Sequence, residues 1–552
     1  MSLFVDALVA AARDNEGAGA RGLTTGEPAE PRRRTWGQVH AEARAFAGAL
    51  RDGQPRVRPG DAVAVLAADP ALVAPAVQAV WLAGGSVTML HQPTPRTDLN
   101  RWAADTLRVL DMVDARLVLL GPPFDDVAPV LDEHDVAYRQ LTELGGGEPL
   151  PVPVPAEADT TALLQLTSGS TAEPKAVHIT HGNLHANMLA MVEAARLRPE
   201  EDVLVSWLPL FHDMGMVGCL TVPMATGLET VKVTPADFLA APTLWMELVS
   251  SHGATVTAAP NFAYAITGRR LSSMDDGSLD LSRLRFALNG AEPIDPKAVA
   301  TFTDAGVRFG LDPSCVVCAF GMAEATLAVS FADLDRGLEV DTVDAEALEH
   351  RRAAVPAEPG SRSTRQFPLL GKGLPGIEVS AVDDEGTVLT EREVGELRIR
   401  GAAVTPGYLT VDGPLAAQDD EGWLLTGDDG YLADGQVVIC GRRKDVIIMG
   451  GRNLYPVDVE RAADEVDGVR AGNAVAVRIE AGSRRERFAV IVESRSAGDE
   501  QADRDLRKNV AAKILDAVGA RPSSVVVVAP GTLPKTPSGK LQRSAAGDLL
   551  DR

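Results

Sequence analysis

The sequence alternates between short apolar runs and longer segments with helical periodicity up to about residue 320. Residues 61–68, DAVAVLAA, form a continuous apolar run of strand length, whereas 35–52 and 70–85 repeat apolar residues three and four positions apart. SVTML and RLVLLG continue the series as short strands. Strands that alternate with helices pair in parallel. The pattern therefore predicts an α/β fold of parallel-rich sheets covered by helices.

The character of the sequence changes after residue 330. Residues 331–366 are charged and contain proline and glycine, so they predict a surface insertion that is part helix and part loop. The stretches GIEVSAVDDEG, GELRIRG and WLLTGDDGYLADGQVVICG follow and predict a small β-barrel-like part, in which DDEG and ADGQ are hairpin turns.

The last segment, 444–552, alternates again. It predicts helices over 456–466 and 503–518 and the strands AVAVRI, RFAVIVES and SSVVVVAP. This is the size of a small α+β domain. With 552 residues the chain is too long for one core. We therefore predict two domains, 1–443 and a mobile 444–552.

Composition excludes several classes of protein. The formal charge of −24 leaves no basic face for general nucleic-acid binding, and Arg32-Arg33-Arg34 is better explained as a solvated loop. Four cysteines are too few for a disulfide scaffold and suit a reducing compartment. The N-terminus has no basic region before an apolar core, and no run approaches the ~20 apolar residues of a membrane span. We expect a cytoplasmic protein without a membrane span.

Cys315 and Cys318 form a C-x-x-C motif within SCVVCAFG. No second pair of ligands accompanies them, and the surrounding run is apolar. We predict a buried strand here and no metal or redox site.

The run 167–175, TSGSTAEPK, combines small residues, hydroxyls and a lysine. Small residues allow backbone N–H groups to form an anion nest, hydroxyls add donors, and Lys175 adds a positive charge. The run differs from the common P-loop because Pro174 replaces the glycine before the lysine. On these residues alone, a phosphate-binding loop and a polar turn between two strands are both open.

Six segments in order resemble the adenylate-forming superfamily of acyl ligases and synthetases. They are TSGSTAEPK (167–175), WLPLFHDMGMVG (207–218), NGAEPI (289–294) with FGMAEAT (320–326), TGDDGYL (426–432), GRRKDVIIMGGRNLYPVDVE (441–460) and LPKTPSGKLQR (533–543). The resemblance covers nearly the whole chain. It implies that a carboxylate attacks the α-phosphorus of ATP, with Mg²⁺, and releases pyrophosphate.

The resemblance also implies roles for individual residues. Phosphate oxygens of ATP would be bound by Thr167, Ser168, Gly169, Ser170, Thr171 and Lys175. The adenine would be bound by Asn289, Gly290, Ala291, Phe320, Gly321 and Met322. Asp428 would bind the ribose, and Arg442 would reach the ribose or the phosphates. Glu324 would hold Mg²⁺, His212 would stand beside the carboxylate, Lys540 would be the catalytic lysine, and Lys444 would be the hinge.

Each of these side chains also has an ordinary structural explanation. The alternative for Glu324 is a surface or helix-capping residue, and for His212 a packed histidine, but the resemblance favours the functional roles. Phe320 can be a core aromatic and still contact adenine. The alternative for Asp428 is a turn-forming residue, and for Lys540 a solvated charge on a loop.

The segments near the acyl site are apolar and rich in methionine, which suits an alkyl chain. WLPLFHDMGMVG, APNFAY with NGAEP, and FGMAEATLAVS before the insertion resemble the fatty acyl-AMP ligases in particular. Phe211 and Phe320 stand where tyrosine is more usual in that family, and Met216 where leucine is. The resemblance implies that the insertion disfavours the CoA-accepting arrangement and that an acyl carrier protein accepts the acyl group in trans.

Two alternatives remain open from the sequence. The first is a medium- or long-chain acyl-CoA synthetase, because the insertion's own sequence matches the family weakly. The second is a non-catalytic homologue that binds a nucleotide or an acyl ligand. Intact Lys540, Glu324 and Asp428 favour an enzyme.

Overall fold

The computed structural model describes residues 2–17, 19–93, 97–167, 173–361, 363–449, 452–483, 486–535 and 541–550. The chain forms two compact units. The first contains Met1–Leu338, Leu370–Glu378 and Ile399–Leu424; the second contains Glu339–Leu369, Val379–Arg398 and Leu425–Arg552. The division predicted from the sequence, between residues 443 and 444, falls within the second unit and stays a prediction.

The helices and strands are as follows. The helices are Leu3–Asp14 (α1), Trp36–Asp52 (α2), Pro70–Leu82 (α3), Leu99–Met112 (α4), Ala128–Glu133 (α5), His181–Ala194 (α6), Val222–Thr226 (α7), Pro235–Ala240 (α8), Leu244–Ser251 (α9), Asn261–Leu271 (α10), Pro296–Val307 (α11), Ala345–Arg351 (α12), Pro456–Asp464 (α13), Glu500–Val518 (α14) and Arg543–Ala546 (α15). The strands are Gly22–Thr25 (β1), Arg32–Thr35 (β2), Ala62–Leu66 (β3), Ser86–Met89 (β4), Ala115–Leu120 (β5), Tyr138–Gln140 (β6), Thr161–Thr167 (β7), Lys175–Thr180 (β8), Val203–Ser206 (β9), Glu229–Lys232 (β10), Val256–Pro260 (β11), Phe286–Gly290 (β12), Val316–Gly321 (β13), Ala328–Phe331 (β14), Val340–Asp344 (β15), Thr364–Pro368 (β16), Lys372–Gly373 (β17), Ile377–Val382 (β18), Gly395–Gly401 (β19), Gly407–Thr410 (β20), Gly413–Ala416 (β21), Leu424–Ala433 (β22), Gln436–Arg442 (β23), Ile447–Met449 (β24), Arg452–Leu454 (β25), Ala474–Ile479 (β26), Arg487–Glu493 (β27) and Ser524–Val528 (β28).

Two large sheets form the framework of the first unit. Among the described residues one sheet has the order β17-β14-β13-β12-β11-β9-β10-β1-β2 and the other β21-β20-β8-β7-β4-β3-β5-β6. Strands β9 to β13 pair in parallel, as do β3 with β4, β5 with β6, and β4 with β7. The prediction of parallel-rich sheets is confirmed, and the buried strand predicted around Cys315 and Cys318 is β13.

The predicted early elements form for local reasons. Thr35 caps α2 in a capping box with Gln38, which satisfies donors that a helix start leaves free. Asp69 caps α3 and Pro70 begins it. Gly84 follows α3 with φ +85°, in the left-handed region that favours glycine. β3 is buried along its whole length, as its continuous apolar run predicted.

Helix α6 joins the two large sheets. It packs against β7 and β8 of one sheet and β14 of the other. Its fully buried Asn187 donates from Nδ2 to the Ala328 carbonyl (2.8 Å) and accepts from the Ala328 N–H (3.0 Å) at Oδ1. A buried amide satisfied on both sides fixes the position of the strand it contacts.

Smaller sheets form the second unit. A four-stranded sheet of order β18-β19-β22-β23 lies mostly in it, and β26-β27-β28 form a three-stranded sheet with α13 and α14. The ADGQ turn is confirmed, because Ala433 pairs with Gln436 and the two residues between them have positive φ. The predicted C-terminal helices and strands are also confirmed. Helix α14 begins at Glu500 rather than 503 because Asp499 caps it.

The insertion differs from the prediction of part helix and part loop. It contains helix α12, but β15 and β16 flank that helix and pair with each other in antiparallel register. This pair was missed because most of its side chains are polar and partly exposed. Only a few apolar side chains, among them Val343 and Phe367, pack into a core with Tyr431. Because so few apolar side chains are buried, the sequence of these strands shows no clear alternation of apolar and polar residues.

No helix within the described ranges has the length and apolar character needed to cross a membrane.

Candidate active site

The phosphate-loop candidate connects two antiparallel strands of the first unit. Thr167 ends β7 and pairs with Lys175, which begins β8. The Thr167 Oγ1 is buried and has no hydrogen-bond partner within the described part of the chain. The Lys175 Nζ lies 4.2 Å from the centroid of the Tyr408 ring, within cation–π distance. Ser168, Gly169, Ser170 and Thr171 lie outside the described residues.

Tyr408 also orients Glu324. Glu324 lies in the short 3₁₀ turn Ala323–Ala325 directly after β13. The Tyr408 hydroxyl donates to its Oε1 (3.0 Å), and the Thr405 N–H donates to its backbone carbonyl (2.8 Å). Glu324 is therefore a fixed, half-buried carboxylate rather than a free surface side chain.

Glu324 was predicted to hold Mg²⁺, and its surroundings fit that ion. The described residues contain no cluster of three or more histidine, cysteine or acidic side chains that would form a complete metal cage. Mg²⁺ in nucleotide sites is commonly held by one or two carboxylates together with phosphate oxygens. A single oriented carboxylate matches that arrangement.

The two segments predicted to bind adenine end neighbouring parallel strands. Asn289 and Gly290 end β12, and Phe320 and Gly321 end β13. The Asn289 Oδ1 is buried without a donor within the described part of the chain. Ala291 follows with φ +67°, an uncommon conformation for a residue with a side chain.

Close packing restricts which residue types fit next to Phe320. A Cβ on Gly321 would lie 2.4 Å from the Leu327 carbonyl oxygen, so only glycine fits there. Phe320 and Met322 are both largely buried. Phe320 is therefore a buried core aromatic, as the structural alternative proposed. Its contact with adenine stays a prediction.

His212 begins the turn before an unusual helical segment. Residues Met214–Thr221 form a π-helix, a form that often marks functional sites. The His212 Nδ1 lies 2.6 Å from the Asp213 Oδ1, and its side chain is 22% exposed. A Cβ on Gly215 would lie 2.0 Å from the Pro209 carbonyl oxygen, so glycine is required for this turn.

His91 and Gln165 lie beside this turn and were not predicted. The Gln165 Nε2 donates to the Phe211 carbonyl (3.0 Å), and its Oε1 is buried without a partner within the described part of the chain. The rings of His91 and Phe211 meet edge-on at 5.8 Å between centroids. Burial, and to a smaller extent His212, lower the pKa of His91 to about 4. Both residues lie near the carboxyl ends of parallel strands, where ligands commonly bind, and this position could have indicated them as site residues.

The predicted ribose-binding residues lie in the second unit. Asp428 and Arg442 face each other on the antiparallel strands β22 and β23. The Arg442 Nε lies 3.1 Å from the Asp428 Oδ1, and an Nη donates to the Thr426 carbonyl (3.0 Å). The alternative that Asp428 forms a turn is wrong, because it lies inside β22, where cross-strand pairing continues.

Asp429 has a different environment from its neighbour. Its carboxylate lies 3.0 Å from an Arg443 nitrogen and 3.5 Å from an Arg352 nitrogen. Burial raises the pKa of Asp429, and the two arginines oppose that effect. Asp429 is thus paired with two arginines, Arg443 and Arg352, whereas Asp428 is paired with Arg442.

Lys444 lies in the short 3₁₀ turn Arg443–Asp445 after β23. Its carbonyl accepts from Arg478, and its role as a hinge stays a prediction. Lys540 lies outside the described residues.

The sequence pattern that defines the family described as "AMP-binding enzyme" matches residues 12–409. The chain belongs to the AMP-binding enzyme family. The resemblance to adenylate-forming ligases is thereby confirmed.

Similar proteins agree with this assignment. The chain is 51% identical over 531 residues to the putative ligase Rv1013 of Mycobacterium tuberculosis, covering 96% of this chain and 97% of that protein. It is 31% identical to the long-chain-fatty-acid–AMP ligase FadD26 of Mycobacterium marinum, covering 93% of this chain and 90% of that protein.

A solved structure from a study of fatty acyl-adenylate ligases of E. coli and L. pneumophila is similar over the whole chain. It aligns with a TM-score of 0.89 and 30% identity, covering 100% of this chain and 98% of that chain. The predicted α/β fold class is confirmed by this match, and the predicted class of enzyme, an acyl-adenylate-forming ligase, is supported at the level of the family.

Proposed function

We propose that this protein activates a fatty acid with ATP. A carboxylate oxygen forms a bond to the α-phosphorus, the bond from that phosphorus to the bridging oxygen breaks, and pyrophosphate leaves with the electron pair. The products are an acyl-adenylate and pyrophosphate. The observation that carries the proposal is that Thr167, Asn289 and Phe320 each lie at or next to the carboxyl end of a strand of the first unit, β7, β12 and β13.

The chemistry requires two anions to meet, so the site must offset negative charge. Lys175 supplies a cation beside the phosphate loop, and its contact with the Tyr408 ring directs its ammonium group. The buried hydroxyl of Thr167 supplies a polar atom with no competing protein partner among the described residues. Mg²⁺ held by Glu324 would reduce the charge on the phosphate oxygens.

An alkyl chain is the acyl group that the surroundings of His212 favour. The π-helix after His212 buries Met214, Met216, Val217 and Leu220. Buried methionine and aliphatic side chains can pack against an irregular apolar ligand. Two relatives at 31% identity are named long-chain-fatty-acid–AMP ligases, which supports the same substrate class, and a relative at 35% identity is named a putative acyl-CoA synthetase.

We infer that the acyl acceptor is the phosphopantetheine thiol of an acyl carrier protein rather than CoA. Support comes from an ion-pair network in the second unit. Glu349, whose side chain is 5% exposed, accepts from Arg365 (3.0 Å) and from Arg452 (2.6 Å). Arg365 also lies 3.0 Å from Asp458.

This network links the insertion to residues beyond the predicted hinge. Glu349 and Arg365 belong to the insertion, whereas Arg452 and Asp458 follow Lys444. A rotation about Lys444 that moved Arg452 and Asp458 would have to break these pairs. Separating a buried carboxylate from its partners costs several kcal/mol, which disfavours a rotated arrangement for CoA.

The acceptor is tested with Glu349→Gln. The change keeps the side-chain shape and removes the charge, so we expect it to increase acyl-CoA formation while acyl-adenylate formation stays within twofold. Glu346→Gln on the exposed face of α12 is the matched control. If the wild-type protein transferred the acyl group to CoA as readily as to the carrier protein, the alternative of an acyl-CoA synthetase would be favoured.

The adenylation step is tested first by its products. Purified protein receives ATP, Mg²⁺ and a series of fatty acids, with CoA or a phosphopantetheinylated carrier protein, and mass spectrometry measures acyl-adenylate, acyl-CoA and acyl-carrier. Lys540→Ala is expected to reduce acyl-adenylate formation by orders of magnitude without loss of folding, and Lys508→Ala, an exposed lysine of α14, is the control. Nucleotide binding without pyrophosphate release would instead favour the non-catalytic alternative.

A further inference from the structure

His91 lies next to the phosphate-loop strand. Strand β4 pairs in parallel with β7, with Val87 opposite Leu163. If this register is continued along both chains, His91, two residues after β4, comes level with Thr167 at the end of β7. In parallel sheets ligands bind outside the carboxyl ends of the strands. His91 follows the carboxyl end of β4, so it lies at the ligand-binding edge of this sheet.

The same residue reaches the segment that carries His212. The His91 ring meets the Phe211 ring edge-on, with 5.8 Å between centroids. Phe211 directly precedes His212, and its carbonyl accepts from the Gln165 Nε2 (3.0 Å). His91 therefore lies beside the segment that carries His212, close enough for His212 to affect its pKa.

The backbone around His91 is fixed by hydrogen bonds, and its ring packs against Phe211 through its edge or face rather than through a bonded nitrogen. The His91 carbonyl accepts from the Trp102 Nε1 (2.9 Å), and the next side chain, Gln92, donates to the Ala67 carbonyl (2.8 Å). Neither ring nitrogen of His91 has a hydrogen-bond partner among the described residues. His91 as a whole is half-buried.

A half-buried imidazole whose nitrogens have no partner in the described part of the chain is available to a ligand. Burial lowers its pKa to about 4, so the ring is neutral at pH 7 and one nitrogen carries a proton. A neutral N–H donor can bind an anionic oxygen without adding another cation near Lys175. The position between Thr167 and His212 is where a carboxylate would meet the α-phosphate.

We propose that His91 binds the reacting end of the acyl substrate, donating a hydrogen bond from its ring to an oxygen of the carboxylate. The same oxygen then belongs to the acyl phosphate of the adenylate. This inference rests on the proposed function, and it adds a substrate-binding residue that the resemblance does not supply.

The test compares two substitutions of His91. His91→Phe keeps an aromatic ring against Phe211 and removes the donor, whereas His91→Gln restores an N–H donor on a side chain of different shape. His134→Phe, at an exposed histidine after α5, is the control. Pyrophosphate release is measured against both fatty acid and ATP concentration, so that KM for each substrate and kcat are separated.

A lost hydrogen bond to a charged group predicts a fall of about tenfold to hundredfold in kcat/KM for the fatty acid in His91→Phe. KM for ATP is expected to stay within about twofold, and His91→Gln to recover most of the loss. Equal losses in both variants would show that His91 only packs against Phe211 and would overturn the proposal. Wild-type values in His91→Phe would overturn it as well.

A binding measurement separates this proposal from the proposed function. The probe is a non-hydrolysable acyl-sulfamoyl adenosine with a long alkyl chain, titrated by calorimetry into wild-type protein and both variants. Weaker binding by His91→Phe alone supports the role of His91 even if wild-type protein releases no pyrophosphate. Binding that is equal in all three proteins, or absent in wild-type protein, overturns it.

Discussion

Arg442 and Asp428 occupy paired positions on neighbouring antiparallel strands, and the Arg442 Nε lies 3.1 Å from the Asp428 Oδ1. The Asp428 side chain is 7% exposed, whereas that of Arg442 is 49% exposed. The arginine thus shields one carboxylate oxygen and keeps the side chain in one orientation. A fixed carboxylate of this kind can accept hydrogen bonds from a pair of neighbouring hydroxyls, such as those of a ribose.

Asp428→Asn is expected to raise KM for ATP by at least about tenfold, because it replaces a charged acceptor by a neutral amide. Steady-state pyrophosphate release at varied ATP measures the effect. Asp434→Asn is the matched control, since Asp434 has φ +52° in the ADGQ turn, where asparagine is well tolerated. An unchanged KM in Asp428→Asn would exclude Asp428 from the nucleotide site.

Tyr408→Phe tests the orientation of Glu324. The phenylalanine ring keeps the contact with Lys175 and removes only the hydroxyl that donates to Glu324. One such hydrogen bond to a charged group contributes about 1.5–3 kcal/mol, so we expect the Mg²⁺ concentration for half-maximal activity to rise several-fold. A Mg²⁺ titration of pyrophosphate release measures it.

The control for Tyr408→Phe is Tyr138→Phe, which removes a hydroxyl that reaches Asp132 at 3.4 Å on an exposed surface. We expect this variant to show the wild-type Mg²⁺ dependence. If Tyr408→Phe and Tyr138→Phe gave the same curve, the hydroxyl of Tyr408 would have no part in placing the metal ligand.

Lys232 is a fully buried cation outside the predicted site. Its Nζ donates to the Ser206 Oγ (3.0 Å) and to the Leu208 carbonyl, and no carboxylate pairs with it within the described ranges. Burial lowers its pKa to about 8. The unfolded chain, with a lysine pKa near 10.4, therefore binds more protons between these pH values, and the stability of the protein rises with pH across that interval.

Lys232→Met is expected to raise the free energy of unfolding at pH 7 by about 1–3 kcal/mol, because an apolar side chain of similar length needs no desolvation of charge. The gain is expected to shrink at pH 10. Urea denaturation followed by tryptophan fluorescence measures it, since all six tryptophans lie in the first unit. Lys508→Met, at an exposed site, is the control, and a gain that does not depend on pH would contradict this account.

Strong periodicity made the framework predictable from the sequence. The strand DAVAVLAA and the helices that flank it were correctly located because each buries a continuous face, and the ADGQ turn because its two central residues tolerate positive φ. Strands β15 and β16 were missed because they bury few apolar side chains. Local pattern carries little information about such elements.

Of the candidate site, the sequence predicted only the residues that belong to recognisable motifs. Glu324, Asp428 and Arg442 were named through the resemblance, but Tyr408, the partner of Glu324, reaches it through folding, from 84 positions away. His91 was missed because it belongs to no motif. It contacts Phe211, which is 120 positions away in the chain, and a single sequence does not show such a contact.

Asp202 is a fully buried carboxylate with charged and neutral donors around it. It accepts from Arg285 (3.0 Å), from the Thr255 hydroxyl (2.8 Å) and from the Arg198 N–H (2.7 Å). Burial alone would raise the pKa of Asp202, but these donors, above all Arg285, lower it below the usual value. Its contribution to stability is therefore present above the unfolded pKa and is lost as the pH falls through the lower native value.

Arg285→Met removes the cation that hydrogen-bonds to the buried carboxylate of Asp202 and leaves only the Arg198 guanidinium, 3.9 Å away. This is expected to lower the free energy of unfolding by about 3–5 kcal/mol at pH 7. The deficit is expected to be smaller at pH 4.5, because an unpaired buried carboxylate binds a proton more readily. Adding Asp202→Asn to Arg285→Met removes the unpaired charge and should recover part of the loss at pH 7. Urea denaturation of the three proteins at both pH values measures these differences. A deficit of equal size at pH 7 and pH 4.5 would mean that packing, rather than the buried charge, accounts for the effect of Arg285.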